Sequence, residues 1–392
     1  MKKYEYWLHC LPEIGNATIG RLLKQFGSEQ NIYDACQRED EDLKKILRQI
    51  RFDDEKIAHV IKSGKSTDPD IIYQHMTDAG IGFVTIQDNE YPLRLRNIAG
   101  RPYAIYYLGS LPEDGVPAVA VIGARNCSEY GRYVAGEFGR SLAKDGINVI
   151  SGMALGVDGI SQRGALEAGG QTYAVLGSGV DICYPPENRD IYEKIPKDGG
   201  VISPFPPGSE PQKRFFPERN RIVAGLSDAV LVIEARQRSG TGITVSLALS
   251  MNRDVYAVPG RITDRLSDGC NMLISQGAGT ALSPEDFVSE IRMLWNRKQG
   301  KPKPSSHPDI DRPFKKLSVN IEKENVTGIL KYVDVRPLSV DSIHQKRLKD
   351  DPAAEISDTF SQLASLCIEG SIVQVGSGFF YRQLSCNLRS KS

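Results

Sequence analysis

An α/β protein, built around a doubly wound and mostly parallel sheet with a helical module on each side of it in the chain, is the fold class that the sequence predicts. Two observations carry the sheet. From about residue 117 onward, short apolar runs alternate with segments of helical spacing. The runs are continuously apolar rather than alternating, which marks strands covered on both faces, as in a parallel sheet. A third observation bounds the domains. A chain of 392 residues is too long for one core, and a Pro-, Ser- and charge-rich stretch without periodicity, NRKQGKPKPSSHPD (296–309), reads as a linker.

Residues 1–85 read as a helical domain. LPEIGNATIGRLLKQFGS (11–28) sets Ile14, Ile19, Leu22, Leu23 and Phe26 near helical spacing, with Gly15 and Gly20 as points of close approach. A turn at the IG step suits a helix-hairpin-helix unit, whose helix starts can hold a phosphate. A plain helical bundle fits better, because the segment is net negative, with 12 cations and 14 anions.

Residues 86–297 hold the sheet. AVAVIG (118–123) is a strand, followed by a helix over 129–145 with Ser128 as N-cap and Gly146 at its end. The strands NVIS (148–151), TYAVLG (172–177), GVIS (200–203), AVLVIEA (229–235) and DVYAVP (254–259) follow. Between them helices are expected near 157–168, 188–195, 218–226 and 241–252. Beyond a linker at 298–315, residues 316–385 give helices near 316–332, 338–347 and 354–369 and a hairpin turning at Gly376-Ser377-Gly378, the plan of a winged helix. The helix that would enter the DNA groove, 354–369, contains no Lys or Arg and carries Glu355, Asp358 and Glu369, so strong DNA binding by this module is not expected.

Composition excludes several function classes. No apolar run approaches the roughly 20 residues that span a bilayer, and the N-terminal stretch lacks the pattern of a signal peptide. Seven scattered cysteines without a CxxC pair point to reduced thiols in cytoplasm rather than disulfides or a zinc site. The net charge is zero, and no folded segment is basic overall. A polyanionic ligand would therefore need a local concentration of cations.

Such concentrations exist. Three strand-end loops, IGARNCSEYG (122–131), GSGVD (177–181) and RSGTGIT (238–244), are rich in Gly, Ser and Thr, and two of them open helices. Exposed amides and the helix dipole favour anions there. No Walker A motif is present and GSGVDI lacks the third glycine of the dinucleotide fingerprint, so neither ATP nor NAD is expected. None of the five histidines lies within 86–297, which removes the usual general base and a His metal ligand from the sheet domain. Asp158, Asp181 and Glu234 fit loop capping or arginine pairing better than catalysis.

KRFFPERNR (213–221) sets two aromatics among four cations and one acid. Pro217 suits the first turn of a helix. Lys213, Phe215 and Phe216 are expected in the preceding loop, one phenylalanine inward and the other free to stack on an unpaired base. Arg219 shares a face with Ile222 and Val223, which fits a structural ion pair as well as a ligand contact. Paired bases offer no free face, so the stretch favours single-stranded over double-stranded nucleic acid.

YPLRLRNIAGRPYAIYYLG (91–109), VIGARNCSEYG (121–131), SGMALGVDGISQRGAL (151–166), YPPEN (184–188), FPERNRIVAGLS (216–227), VIEARQRSGTGIT (232–244) and VPG (258–260) together resemble the DNA-processing protein A family, DprA or Smf. The resemblance implies a Rossmann-like domain between a SAM- or helix-hairpin-helix-like domain and a winged helix. It implies a cytoplasmic, non-enzymatic homodimer without cofactor or metal, which binds single-stranded DNA and loads a RecA-type recombinase during natural transformation. By resemblance, Arg125, Lys213 and Arg219 match phosphate-binding cations and Phe216 a base-stacking aromatic, with Gly177, Ser178, Ser239 and Gly240 lining the pocket. Leu155 and Gln162 depart from the basic residue and histidine that many members carry. The competing expectation is a phosphoribohydrolase of the lysine-decarboxylase-like family, although RQRSGTG stands in place of its PGGxGT. A third is a purely structural interaction module.

Overall fold

The computed structural model describes residues 2–299, 328–333, 338–369, 371–375 and 379–382. They fall into two compact units, within 1–305 and 306–392.

The first unit begins with six helices: α1 (Lys2–Cys10), α2 (Asn16–Phe26), α3 (Glu29–Gln37), α4 (Glu41–Gln49), α5 (Asp54–Ser66) and α6 (Pro69–Asp78). Trp7, Leu8, Ile19, Leu22, Ile32 and Leu47 are buried among them. Neither Gly15 nor Gly20 is a point of close approach, since a Cβ at either would meet nothing within 4 Å. Gly15 instead stands before α2 as its N-cap. The helices share a core with the sheet through Tyr103, Ala104, Tyr106 and Leu176. The hydroxyl of Tyr103 donates to Glu29 at 2.7 Å, and the Tyr106 hydroxyl lies 2.7 Å from His9 Nδ1.

The chain then runs through β1 (Gly82–Thr85), α7 (Leu93–Arg96), β2 (Ala104–Gly109), β3 (Ala118–Ile122), α8 (Glu129–Lys144), β4 (Asn148–Ser151), α9 (Val157–Glu167), β5 (Thr172–Val175), α10 (Arg189–Tyr192), β6 (Gly199–Ser203), α11 (Phe215–Gly225), β7 (Ala229–Val232), α12 (Thr241–Ser250), β8 (Asp254–Ala257), α13 (Asp268–Ser275), β9 (Gly279–Thr280) and α14 (Pro284–Lys298). The strands form one nine-stranded sheet in the order β1-β2-β6-β5-β4-β3-β7-β8-β9. Pairing is parallel from β6 through β9 and antiparallel at β2–β6 and β1–β2. β1 lies on the helical side of the expected 85/86 division, yet pairs within the sheet.

β3 leads leftward through β4, β5 and β6, after which the chain returns to place β7 beside β3. The sheet thus reverses direction between β3 and β7, and ligands of such sheets sit in the crevice at the strands' C-terminal ends there.

Two segments differ from their sequence expectations. Asn296, Arg297 and Lys298 are not linker but the last turn of α14, where cations complement the helix's negative end. Helix α11 starts at Phe215, not at Pro217, so both phenylalanines are helical. The first-turn N–H groups of a helix have no intrahelical acceptor, so proline fits the third position as well as the first.

The second unit holds β10 (Leu338–Ser339), α15 (Val340–Leu348), α16 (Ile356–Ile368), β11 (Ile372–Val375) and β12 (Phe379–Arg382). The strands pair antiparallel in the order β10-β12-β11. Ile329, Val333, Ile343, Leu363 and Ile372 are its buried core. Two helices leading into a hairpin give the winged-helix arrangement. Of the expected helix near 316–332, Gly328–Tyr332 form a 3-10 turn, while 316–327 and the expected turn at Gly376-Ser377-Gly378 lie outside the described residues.

Candidate nucleic-acid interface

The loops that follow β3, β4 and β5 meet beneath the start of α11. Arg219, one turn into α11 and only 4% exposed, anchors this meeting point. Its Nη1 donates to the carbonyls of Gly152, after β4, and of Val175, at the end of β5, the latter at 2.7 Å. Its Nε donates to Asn220 Oδ1 at 3.1 Å. A Cβ at Gly152 would overlap the guanidinium and lie 2.8 Å from Asp158 Oδ2, so only glycine leaves room for both charges at this turn. Asp158 is itself buried, and its carboxylate accepts from Gly152 N at 3.1 Å. Burial pushes the Asp158 carboxyl above its usual range, against the pull of Arg219 and Arg125. Burial also draws the Arg219 guanidinium down to about 10, which leaves it charged at neutral pH.

Phe216 stands three residues before Arg219 in α11. Its ring is half-buried, and the guanidinium carbons of Arg125 and Arg219 stand 5.5 and 5.6 Å from its centroid. Both are within reach of the ring's quadrupole. A Cβ at Gly177 would come within 3.1 Å of the ring, so the glycine lets Phe216 lie against the β5 loop. Phe215 is half-buried as well, with the Arg214 guanidinium 5.3 Å from its centroid, so the expected division into one inward and one exposed ring is not seen. Phe215 stacks on Phe205 with centroids 3.9 Å apart and planes inclined by 23°.

The other sequence candidates divide. Arg125 and Lys213 are exposed, and neither makes a hydrogen bond or ion pair through its side chain among the described residues. Ser178 is fully buried. Its hydroxyl donates to Ile182 O at 3.1 Å and its carbonyl accepts from Ser203 Oγ at 2.6 Å, so its polar groups serve the loop itself. Ser239 and Gly240 stand at the opening of α12, with Gly240 exposed and Ser239 half-exposed.

The start of α8 is not open to an external anion. Glu234, 1% exposed, reaches across from the end of β7. Its two carboxylate oxygens accept from Ser128 N at 2.8 Å and Ser128 Oγ at 2.5 Å, while Ser128 Oγ accepts from Gly131 N at 3.0 Å. A Cβ at Gly131 would overlap this carboxylate. An internal carboxylate therefore stands where a nucleotide phosphate sits in related sheets. Glu234→Gln places an amide nitrogen against one of the Ser128 donors. Losing a charge-assisted, buried bond of this kind costs about 1.5–3 kcal/mol, and urea unfolding of the variant is expected to show that loss. An unchanged midpoint would mean that Ser128 finds an equivalent partner.

Two participants escaped the sequence reading. Tyr184, 40% exposed, lies 6.0 Å from Phe216 between ring centroids. Asn188, buried, donates to the carbonyls of Met153 and Ala154 at 2.9 and 3.1 Å and so fixes the loop after β4. Both lie in YPPEN, which carries no charge pattern or period to mark them. Asp181 accepts from Gly208 N at 2.9 Å and so caps a loop, as its sequence setting implies.

No helix among the described residues is long and apolar enough to cross a membrane.

The arrangement has known counterparts. The family model described as DNA recombination-mediator protein A matches residues 82–292. Protein Smf of Synechocystis is 35% identical over 302 residues, covering 75% of this chain and 74% of that protein. DNA processing protein DprA of Streptococcus pneumoniae is 41% identical over 207 residues, 53% of this chain and 73% of that protein. The X-ray structure of DprA from Streptococcus pneumoniae superposes with a TM-score of 0.62 at 32% identity, over 74% of this chain and 98% of that one. The match takes in every strand-end loop that meets beneath Phe216, and over that span and the fold around it the chain belongs to the DNA recombination-mediator protein A family.

Proposed function

We propose that the protein binds single-stranded DNA and acts without catalysing a reaction, protecting incoming strands and passing them to a RecA-type recombinase in the cytoplasm as a homodimer. The observation that carries the DNA reading is the Phe216 ring, half-exposed with two guanidiniums 5.5 and 5.6 Å from its centroid and with the exposed Lys213 three residues before it in the chain. A flat apolar face flanked by cations suits an unpaired base and its adjoining phosphates. Asp158 and Glu234, which the sequence offered as acids or bases, are buried and bonded within the loops, which weighs against the phosphoribohydrolase alternative, while Glu218 stands exposed two residues after Phe216. The winged helix is not needed for affinity in this reading, since α16 contains no Lys or Arg.

Oligo-dT titrations test it. Binding is expected to exceed that of a duplex of equal length and to weaken with salt, with a log–log slope of about −0.7 per phosphate contact. A protein lacking residues 310–392 is expected to bind as the full chain does. Equal affinity for duplex and single strand, or release of base from nucleoside monophosphates, would overturn the reading.

A further inference from the structure

A second set of cations lies along the same edge of the sheet. Arg236 and Arg238 follow β7, and Arg261 and Arg265 follow β8. All four are exposed, and none makes a side-chain hydrogen bond or ion pair among the described residues. Backbone bonds tie these loops to one another and to the Arg125 loop. Ala124 N donates to Glu234 O at 2.8 Å, Ala235 N to Leu266 O at 2.8 Å, and Gly269 N to Ala235 O at 2.8 Å. Arg125, Arg236 and Arg265 are each next in sequence to a residue of that ladder. Because β3, β7 and β8 are adjacent, and strands lie about 4.8 Å apart, the three loops fall within roughly 10 Å. The local acids offer little opposition. Glu234 is buried and spent on Ser128, which leaves Asp264, whose carboxylate accepts from Leu266 N, and the exposed Asp268 as two counter-charges to the four arginines. Ile262, 90% exposed between Arg261 and Arg265, adds an apolar tip.

Unpaired arginines along one edge, continuous with the Phe216 site, fit a flexible polyanion that runs on from that site. We propose that these four arginines form a second segment of a single-strand track, taking phosphates of the strand whose base lies at Phe216. The track extends from the β3 crevice across β7 to the loop after β8. This inference rests on the single-strand reading above and adds the direction and length of the bound strand.

The test uses the full-length chain with Arg236, Arg238, Arg261 and Arg265 all changed to Gln. Oligo-dT of about 6 and about 25 nucleotides brackets the site sizes of single-strand grooves, roughly 4–16 nucleotides. For the long oligomer, the salt slope of the variant is expected to be shallower by about 0.7 for each phosphate contact removed. For the short oligomer, affinity and slope should match the wild type, which also reports that the variant is folded. A variant that keeps the wild-type slope on the long oligomer, or loses the short one equally, overturns the track. Wild-type protein that binds neither oligomer overturns the single-strand reading itself, so the two failures are separable.

Discussion

Phe216→Ala is expected to weaken oligo-dT binding by about 1–3 kcal/mol for the one stacked base it removes, a loss of roughly five- to 150-fold. The half-exposed ring also meets Arg125, Arg219, Tyr184 and the Gly177 backbone, so thermal stability is measured beside affinity. An affinity loss in a variant that stays folded at the assay temperature reads as lost stacking. Phe216→Trp, which keeps a π-face, should retain most of the binding. Lys213→Glu separates the electrostatic share. It should weaken all sequences alike and make the salt slope shallower by about 0.7, because phosphate contacts carry no sequence information. Fluorescence anisotropy with oligo-dT at several salt concentrations checks both variants. Wild-type affinity in Phe216→Ala would remove the stacking platform from the mechanism.

Arg219→Met is expected to act on stability first. The resemblance assigns this residue to phosphate, but its guanidinium is buried and its Nη1 is engaged by the Gly152 and Val175 carbonyls. Asp158 lies across Gly152 from it, buried as well. Methionine would strand two carbonyls and leave the buried Asp158 carboxylate with Arg125 as its counter-charge, a change that costs about 3–5 kcal/mol. The pH dependence has a definite sign. A carboxyl whose folded pKa is raised, as at Asp158, destabilises the fold at pH values above its unfolded pKa of about 3.9. Removing Arg219 raises it further, so the deficit of the variant is largest at neutral pH. It shrinks as acid protonates Asp158. Adding Asp158→Asn should recover part of the loss at pH 7. Urea titrations across pH check this. A variant with wild-type stability but lost oligo-dT binding would instead make Arg219 a direct phosphate contact.

Local patterns carried much of the fold. Ser128 caps α8 by accepting from Gly131 N, as a serine before a helical apolar series should. The β3 to β8 strands were legible because a strand buried on both faces must be apolar throughout, which no loop imitates. The edges were harder. β1 and β2 pair antiparallel beside β6, and AIYYLG holds no signal of β6, since that pairing joins Tyr106 to Ser203 across the intervening strands and helices. The α11 start was misread by two residues because a proline marks a first turn without marking which position in it.

By itself, the sequence determined that the loops and helix start carry Arg125, Lys213 and a pair of phenylalanines with little opposing charge, because charge, ring and turn chemistry are properties of the residues themselves. Which cation is buried and which is free was decided only by the tertiary structure. Arg219 is held by carbonyls 67 and 44 residues away, and Glu234 closes the start of α8 from 106 residues away. Those partners arrive through the crossovers of the sheet. A side chain's solvation, and with it the choice between holding the fold and meeting a ligand, depends on what the crossovers bring within about 3 Å of it.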